Sequence, residues 1–185
     1  MQPAAPANLD HRHALDVVVT GSSSDAHTWN LVFLQLLLED LGHRVVNLGP
    51  CAPDELVVSS CRVLTPDLLV VSSVNGHGYH DARSLLGALR ADDDTAKLPV
   101  VVGGKLGIAP EGREEKVRAL IEAGCDAVFD ERVALTSFEA FVNALPKSGP
   151  SSASPRSVAS PASIESSRAA APSPAQEAVV GEVRR

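Results

Sequence analysis

Apolar positions along the chain fall into five short, mostly β-branched runs, each followed by an amphipathic stretch. "LDVVVT", "HRVVNLG", "DLLVVSS", "LPVVVGG" and "DAVFD" are too short for stable helices and rich in valine, so they predict strands. The segments that follow are "TWNLVFLQLLLEDLG", "APDELVVSSCRVL", "HDARSLLGALRADD", "GREEKVRALIEAG" and "TSFEAFVNAL", and they carry helical spacing. In the first of them Trp29, Phe33, Leu36, Leu37 and Leu41 share one broad helical face, and Gly42 offers a left-handed stop. Pro53 is tolerated in the first turn of the second helix, where its missing N–H would be unpaired anyway. Strands apolar on both faces and alternating with helices predict an α/β fold, a parallel sheet covered on two sides. Right-handed crossovers then lead to a doubly wound five-stranded parallel sheet, flavodoxin-like (Rossmann-like), with strand order 2-1-3-4-5.

The pattern stops at Lys147. Residues 1–13 read as an N-terminal extension, 14–146 as the folded domain, and 147–185 as a Ser/Pro/Ala-rich tail. The tail has too little apolar surface to offset its conformational entropy and is expected to be disordered. The whole chain of 185 residues is 44% hydrophobic but only 3% aromatic, so its core must be built from Val, Leu and Ala. A net charge of -7 without a Lys/Arg cluster argues against nucleic acid or an anionic membrane as partner. The start "MQPAAPANLDHRH" lacks the layout of a secretory signal and no apolar run reaches spanning length, so a soluble, cytoplasmic protein is expected. Cys51, Cys61 and Cys125 are odd in number, lack CxxC spacing and sit in apolar segments; buried free thiols are expected, not disulfides or a zinc site.

Ligands of an open parallel sheet bind beyond the carboxyl ends of the strands, where the strand order reverses, here between strands one and three. The loops after strands one, three and four are "GSSSDAHT", "SSVNGHG" and "GGKLG", the segments richest in Gly, Ser and His. The first lacks both the GxxxxGK[ST] lysine and GxGxxG spacing, so neither nucleotide class is supported. Ser22 to Ser24 lack the GxSxG elbow of a nucleophilic serine. What remains is Asp25-x-His27: a carboxylate that holds imidazole Nδ1–H leaves Nε2 as a stronger donor to a metal. Taken alone, this fragment is read more simply as Asp25 capping the next helix beside a solvated histidine.

Three motifs in register change that reading. "VVVTGSSSDAHTWN", "VVNLG", "DLLVVSSVNGHG" and "VVVGGKLG" together resemble the B12-binding domain family, and most closely the small (sigma) subunits of glutamate mutase. Those carry DxHxxG after the first strand, SxL at the end of the third and GG after the fourth. Asp25 and His27 match DxH, Ser72 and Val74 match SxL with Val for Leu, and Gly103 and Gly104 match GG, within roughly Leu15 to Leu145. The resemblance implies adenosylcobalamin (coenzyme B12, with its cobalt) as cofactor, His27 as the lower axial metal ligand and Asp25 orienting it. The cofactor-binding set it implies is Ser24, Asp25, Ala26, His27 and Thr28; Ser72, Ser73 and Val74; and Gly103, Gly104, Lys105, Leu106 and Gly107. The displaced dimethylbenzimidazole and its nucleotide tail would enter a slot between strands one and three, with Ser72 bonding the base and the glycine pair letting backbone pass close. The implied function is the cobalamin-binding component of a glutamate mutase (glutamate to 3-methylaspartate by radical rearrangement), inactive without a larger catalytic subunit that binds substrate.

The chain departs from the family at Asn30, which replaces the glycine of DxHxxG, and at "DERVALTS", where the family has a Pro/Gly-rich turn. Its tail has no counterpart in the compact members. A corrinoid methyl carrier, a non-catalytic B12-dependent regulator and a flavodoxin-like interaction domain with no cofactor are the alternative readings; the lack of a helical cap module before the domain disfavours the first, and the last needs the three loop matches to be coincidental. His77 and His80 border the third loop, as corrin or partner neighbours or as solvated residues. His11 and His13 read as exposed, and Asp92 to Asp94 as a solvated helix end. Lys105 is assigned to the cofactor on family analogy.

Overall fold

The computed structural model of the chain describes residues 14–108 and 112–146; the expectations for 1–13, with His11 and His13, and for the tail 147–185 lie outside them. The described elements are β1 (Asp16–Gly21), α1 (Trp29–Asp40), β2 (Arg44–Asn47), α2 (Asp54–Leu64), β3 (Leu68–Ser73), α3 (Gly78–Arg90), β4 (Val100–Gly104), α4 (Arg113–Glu122), β5 (Ala127–Asp130) and α5 (Leu135–Ala144). The strands form one parallel sheet in the order β2-β1-β3-β4-β5. The register aligns Gly21 with Ser72 and Ser72 with Gly103, so the loops after β1, β3 and β4 start level on one sheet edge.

Because strand side chains alternate, the valine-rich strands feed two cores. Val18, Leu69, Val71, Val100 and Val102 pack with Val57, Leu86 and Leu120 of α2, α3 and α4. Val17, Val19, Leu68, Val70 and Val101 pack with Leu31 and Leu38 of α1 and Phe138 and Val142 of α5. Burial on both faces holds for β1, β3 and the valines of β4, as expected. It does not hold for β2 and β5, which have one neighbour each; Val46 is 42% exposed.

The face of α1 also differs from the expected one. Trp29, Phe33 and Leu36 are exposed, Trp29 at 64%, while Leu31 and Leu38 are buried with Leu34 packed beside them. A helix reading "WNLVFLQLLLED" is apolar nearly all round, so its spacing does not choose a face; contact with β2, β1 and β3 does. Pro53 precedes α2 in extended conformation instead of lying in its first turn. Cys61 and Cys125 are buried free thiols as expected, but Cys51 is exposed. Asp92 is more than a solvated helix end, since Arg62 Nε donates to it at 2.8 Å and it accepts from the Thr95 amide at 3.2 Å. Among the described residues, no helix is long and apolar enough to cross a membrane.

Candidate functional site

Between Gly21 and α1 the chain turns back on itself, with the Asp25 amide donating to the Ser22 carbonyl at 3.0 Å. This turn aims the Asp25 side chain inward, where it is 1% exposed. Its Oδ2 accepts from the Val74 amide at 2.5 Å, the Asn75 amide at 3.1 Å and the Ser73 hydroxyl at 3.1 Å. Its Oδ1 accepts from the His27 amide at 3.0 Å and lies 2.6 Å from His27 Nδ1. Burial by itself would raise the pKa of this carboxyl. The amides of Val74 and His27, then the His27 ring and the Ser73 hydroxyl, outweigh it and hold the pKa at about 2. Asp25 is therefore ionised at neutral pH, and it does not cap α1. Thr28 takes the N-cap position, without a side-chain bond.

An ionised carboxylate can only accept, so the proton of the neutral His27 ring sits on Nδ1 and the Nε2 lone pair points away from Asp25. The His27 side chain is 52% exposed, so this donor atom is presented at the sheet edge while its anchor is buried. The loop is fastened a second time. Ser24 Oγ donates to Asp81 at 2.5 Å, and Asn75 Nδ2 donates to the Ser24 carbonyl at 2.9 Å. Burial raises the Asp81 pKa, but the bonds from Ser24 and Ser22 bring it below the usual carboxylate value.

Beside this loop lies a cleft of about 220 Å³. It opens over the ends of β3, β4 and β5, walled by α1 and the start of α5, with Asn30, Phe33, Ser72, Gly103, Phe129 and Leu135 among its lining residues. The expected position was between strands one and three; Leu31 packs with Val17 and Val19 there, and the opening shifts towards β4. On its floor, Asn30 Nδ2 donates to Ser72 Oγ at 2.9 Å, both residues being buried. Asn30 Oδ1 is buried without a partner.

The predicted set is thus divided. Ser24, Asp25, Ala26, His27 and Thr28 form the histidine loop, with Ala26 and Thr28 exposed. Ser72, Val74, Gly103 and Gly104 line the cleft. Ser73 faces Asp25. The Lys105 amide donates to the Ser73 carbonyl at 2.7 Å, and Gly107 is half-buried. Leu106 is 2% exposed in the core on the opposite face, so its side chain belongs to packing. The glycine pair also answers to the protein itself: Gly104 has φ +91°, and a Cβ there would stand 2.1 Å from the Ser73 carbonyl. His77 and His80 are exposed at the start of α3, His80 edge-on to Tyr79. Sequence reasoning missed Asn75, Asp81, Phe33 and Phe129. Asn75 and Asp81 are ordinary loop and helix polar residues in the sequence, and only the fold brings them to Ser24.

A family model described as B12 binding domain matches residues 15–135. Glutamate mutase sigma subunit 1 of Haloarcula marismortui is 31% identical over 114 residues, which are 62% of this chain and 74% of that protein. The glutamate mutase sigma subunit of Halobacterium salinarum is 33% identical over 129 residues, 70% of this chain and 83% of the relative. The solved structure of the Methanosarcina barkeri monomethylamine corrinoid protein aligns with a TM-score of 0.55 at 18% identity, covering 69% of this chain and 56% of that one. This last likeness speaks to the fold.

Proposed function

The chain belongs to the B12-binding domain family, and from that premise we propose that it is the cobalamin-binding small subunit of an adenosylcobalamin-dependent glutamate mutase. The observation that carries the proposal is the His27 imidazole, half-exposed, with Nδ1 held 2.6 Å from a buried, ionised Asp25.

The residues present fit a corrinoid. Among the described residues, no three or more His, Cys, Asp and Glu side chains are placed to hold a metal ion. A single imidazole suits a metal that arrives with its equatorial ligands already in place, as cobalt does in a corrin ring. The cleft of about 220 Å³ is smaller than the roughly 300–1,000 Å³ that encloses a whole drug-sized ligand. It suits one arm of a larger molecule, the nucleotide tail, and the unpaired Asn30 Oδ1 on its floor is a polar group in want of a partner.

His27 would hold the cobalt, and Asp25 would keep the ring in one tautomer and one orientation. Ser72 would bond the tail's base, and Phe33 and Phe129 would exclude water from it. Bound adenosylcobalamin would supply homolytic radical chemistry, which the protein itself cannot. This chain contributes binding, orientation and dryness, and no acid or base is assigned to it. A larger subunit would bind glutamate and close the exposed face, so this chain is inactive alone.

The test is electron paramagnetic resonance of the reduced cobalt in the loaded protein. Nitrogen-15 labelling of histidine is expected to change the axial hyperfine pattern, and His27→Ala to abolish that coupling. A pattern unchanged by the label would refute the ligand assignment.

A further inference from the structure

Asn75 follows β3 and reaches the histidine loop with both its backbone and its side chain. Its backbone N–H donates to Asp25 Oδ2 at 3.1 Å. Its Nδ2 donates to the Ser24 carbonyl at 2.9 Å and lies 3.1 Å from Ser24 Oγ, while its Oδ1 accepts from the His77 amide at 2.8 Å. A backbone carbonyl can only accept and a backbone N–H can only donate, so these two partners fix which way round the Asn75 amide sits. Ser24 Oγ in turn donates to Asp81 Oδ2 at 2.5 Å, so one chain of hydrogen bonds runs from the β3 loop through Ser24 to α3.

We propose that Asn75 is a positioning residue for the His27 imidazole, acting on it through Ser24. The inference rests on the cobalamin reading above for the use of the imidazole, and adds what holds that imidazole ready. The Asp25 carboxylate fastens the loop at one residue, which leaves the backbone free to turn about it. Asn75 grips the residue before it, so the loop has two adjacent fixed points and the ring that follows has one orientation. A group held in its binding geometry beforehand gives up less freedom when its ligand arrives.

The plainer role for Asn75 is the turn it makes with the His77 amide, which leads the chain into α3. Aspartate makes that turn as well as asparagine does. It has no N–H for the Ser24 carbonyl, however, and would bring a third carboxylate to the loop that Asp25 and Asp81 already hold. Asn75→Asp therefore separates the two roles: it preserves the turn and breaks the grip.

The experiment compares wild type, Asn75→Ala, Asn75→Asp and Ser24→Ala, all as full chains labelled with nitrogen-15 histidine. In the cofactor-free proteins, the two ring nitrogens of His27 are expected to resonate far apart in the wild type, as one tautomer requires. In Asn75→Ala and Asn75→Asp they should move towards each other as the ring is released. In the proteins loaded with cobalamin and reduced, paramagnetic resonance reads the share of cobalt that carries labelled-histidine coupling. The ratio of histidine-bound to other cobalt should fall roughly tenfold in both Asn75 variants, the lower end of what orienting partners contribute. Ser24→Ala removes only the hydroxyl from the chain of bonds, so it should fold even where the Asn75 variants do not, and should show the same loss to a smaller degree. Wild-type behaviour of Asn75→Asp by both readouts would reduce Asn75 to its turn and overturn the proposal, as would ring shifts unchanged in all three variants. A wild type that takes up no cobalamin overturns the cobalamin reading instead, and the ring shifts of the free protein still decide the role of Asn75.

Discussion

Asp25→Asn keeps the shape of the side chain and removes its charge, and the structure sets the cost. Oδ2 accepts from two amides and a hydroxyl, and Oδ1 accepts from an amide and an imidazole. Either orientation of an asparagine amide turns its NH2 towards donors. The drop in the carboxyl pKa from 3.8 to about 2 corresponds to about 2.5 kcal/mol of stabilisation. Because Asp25 is 1% exposed, solvent screening leaves most of this intact. The folded-state pKa is the lower one, so the contribution is fully present well above 3.8 and is lost as pH falls through about 2. Urea unfolding of wild type and variant, from about pH 7 down to about pH 3, should show the variant less stable by about 2–3 kcal/mol at neutral pH. The gap should narrow at the acid end, since all other carboxylates are common to both proteins. A gap below about 1 kcal/mol at neutral pH, or one of the same size at every pH, would refute the argument.

Gly104→Ala places a Cβ 2.1 Å from the Ser73 carbonyl at φ +91°, and should cost about 3 kcal/mol or prevent folding. Gly42→Ala, at the same φ but with open space around it, should cost only about 1 kcal/mol, and equal losses in urea unfolding would discount the clash. Iodoacetamide on the native protein should label exposed Cys51 and spare Cys61 and Cys125, whose thiols burial pushes up to about 11; peptide mass analysis showing equal labelling would contradict that burial.

The sheet was legible because five valine-rich runs alternate with five helical ones, and short crossovers leave little choice of order. Asp25 and His27 were legible as a pair because they are two residues apart. What holds them was not: the Val74 and Asn75 amides are backbone groups 49 and 50 residues away, and no side-chain pattern announces a backbone partner. The face of α1 was misread because Trp29, Phe33 and Leu36 have the same helical spacing as the residues that pack on the sheet. Leu106 follows "GGK" in sequence and so read as part of the site. The chain turns there, and the side chain is buried against the opposite core. Asn30 was visible as a departure from the family, but its bond to Ser72 spans 42 residues and depends on how α1 is seated.

The tether from Asp25 to the β3 loop also bears on the order of events while the protein is being made. The segment carrying Asp25 and His27 leaves the ribosome 49 residues ahead of Val74, whose amide makes the shortest bond to the carboxylate. At roughly 5–20 residues per second, that is a delay of roughly 2–10 s. During it the imidazole has a carboxylate for a neighbour, but the carboxylate has nothing to hold it still. A nascent chain halted after α2 already carries the whole Asp-x-His sequence and none of the β3 groups that turn it into a fixed ligand.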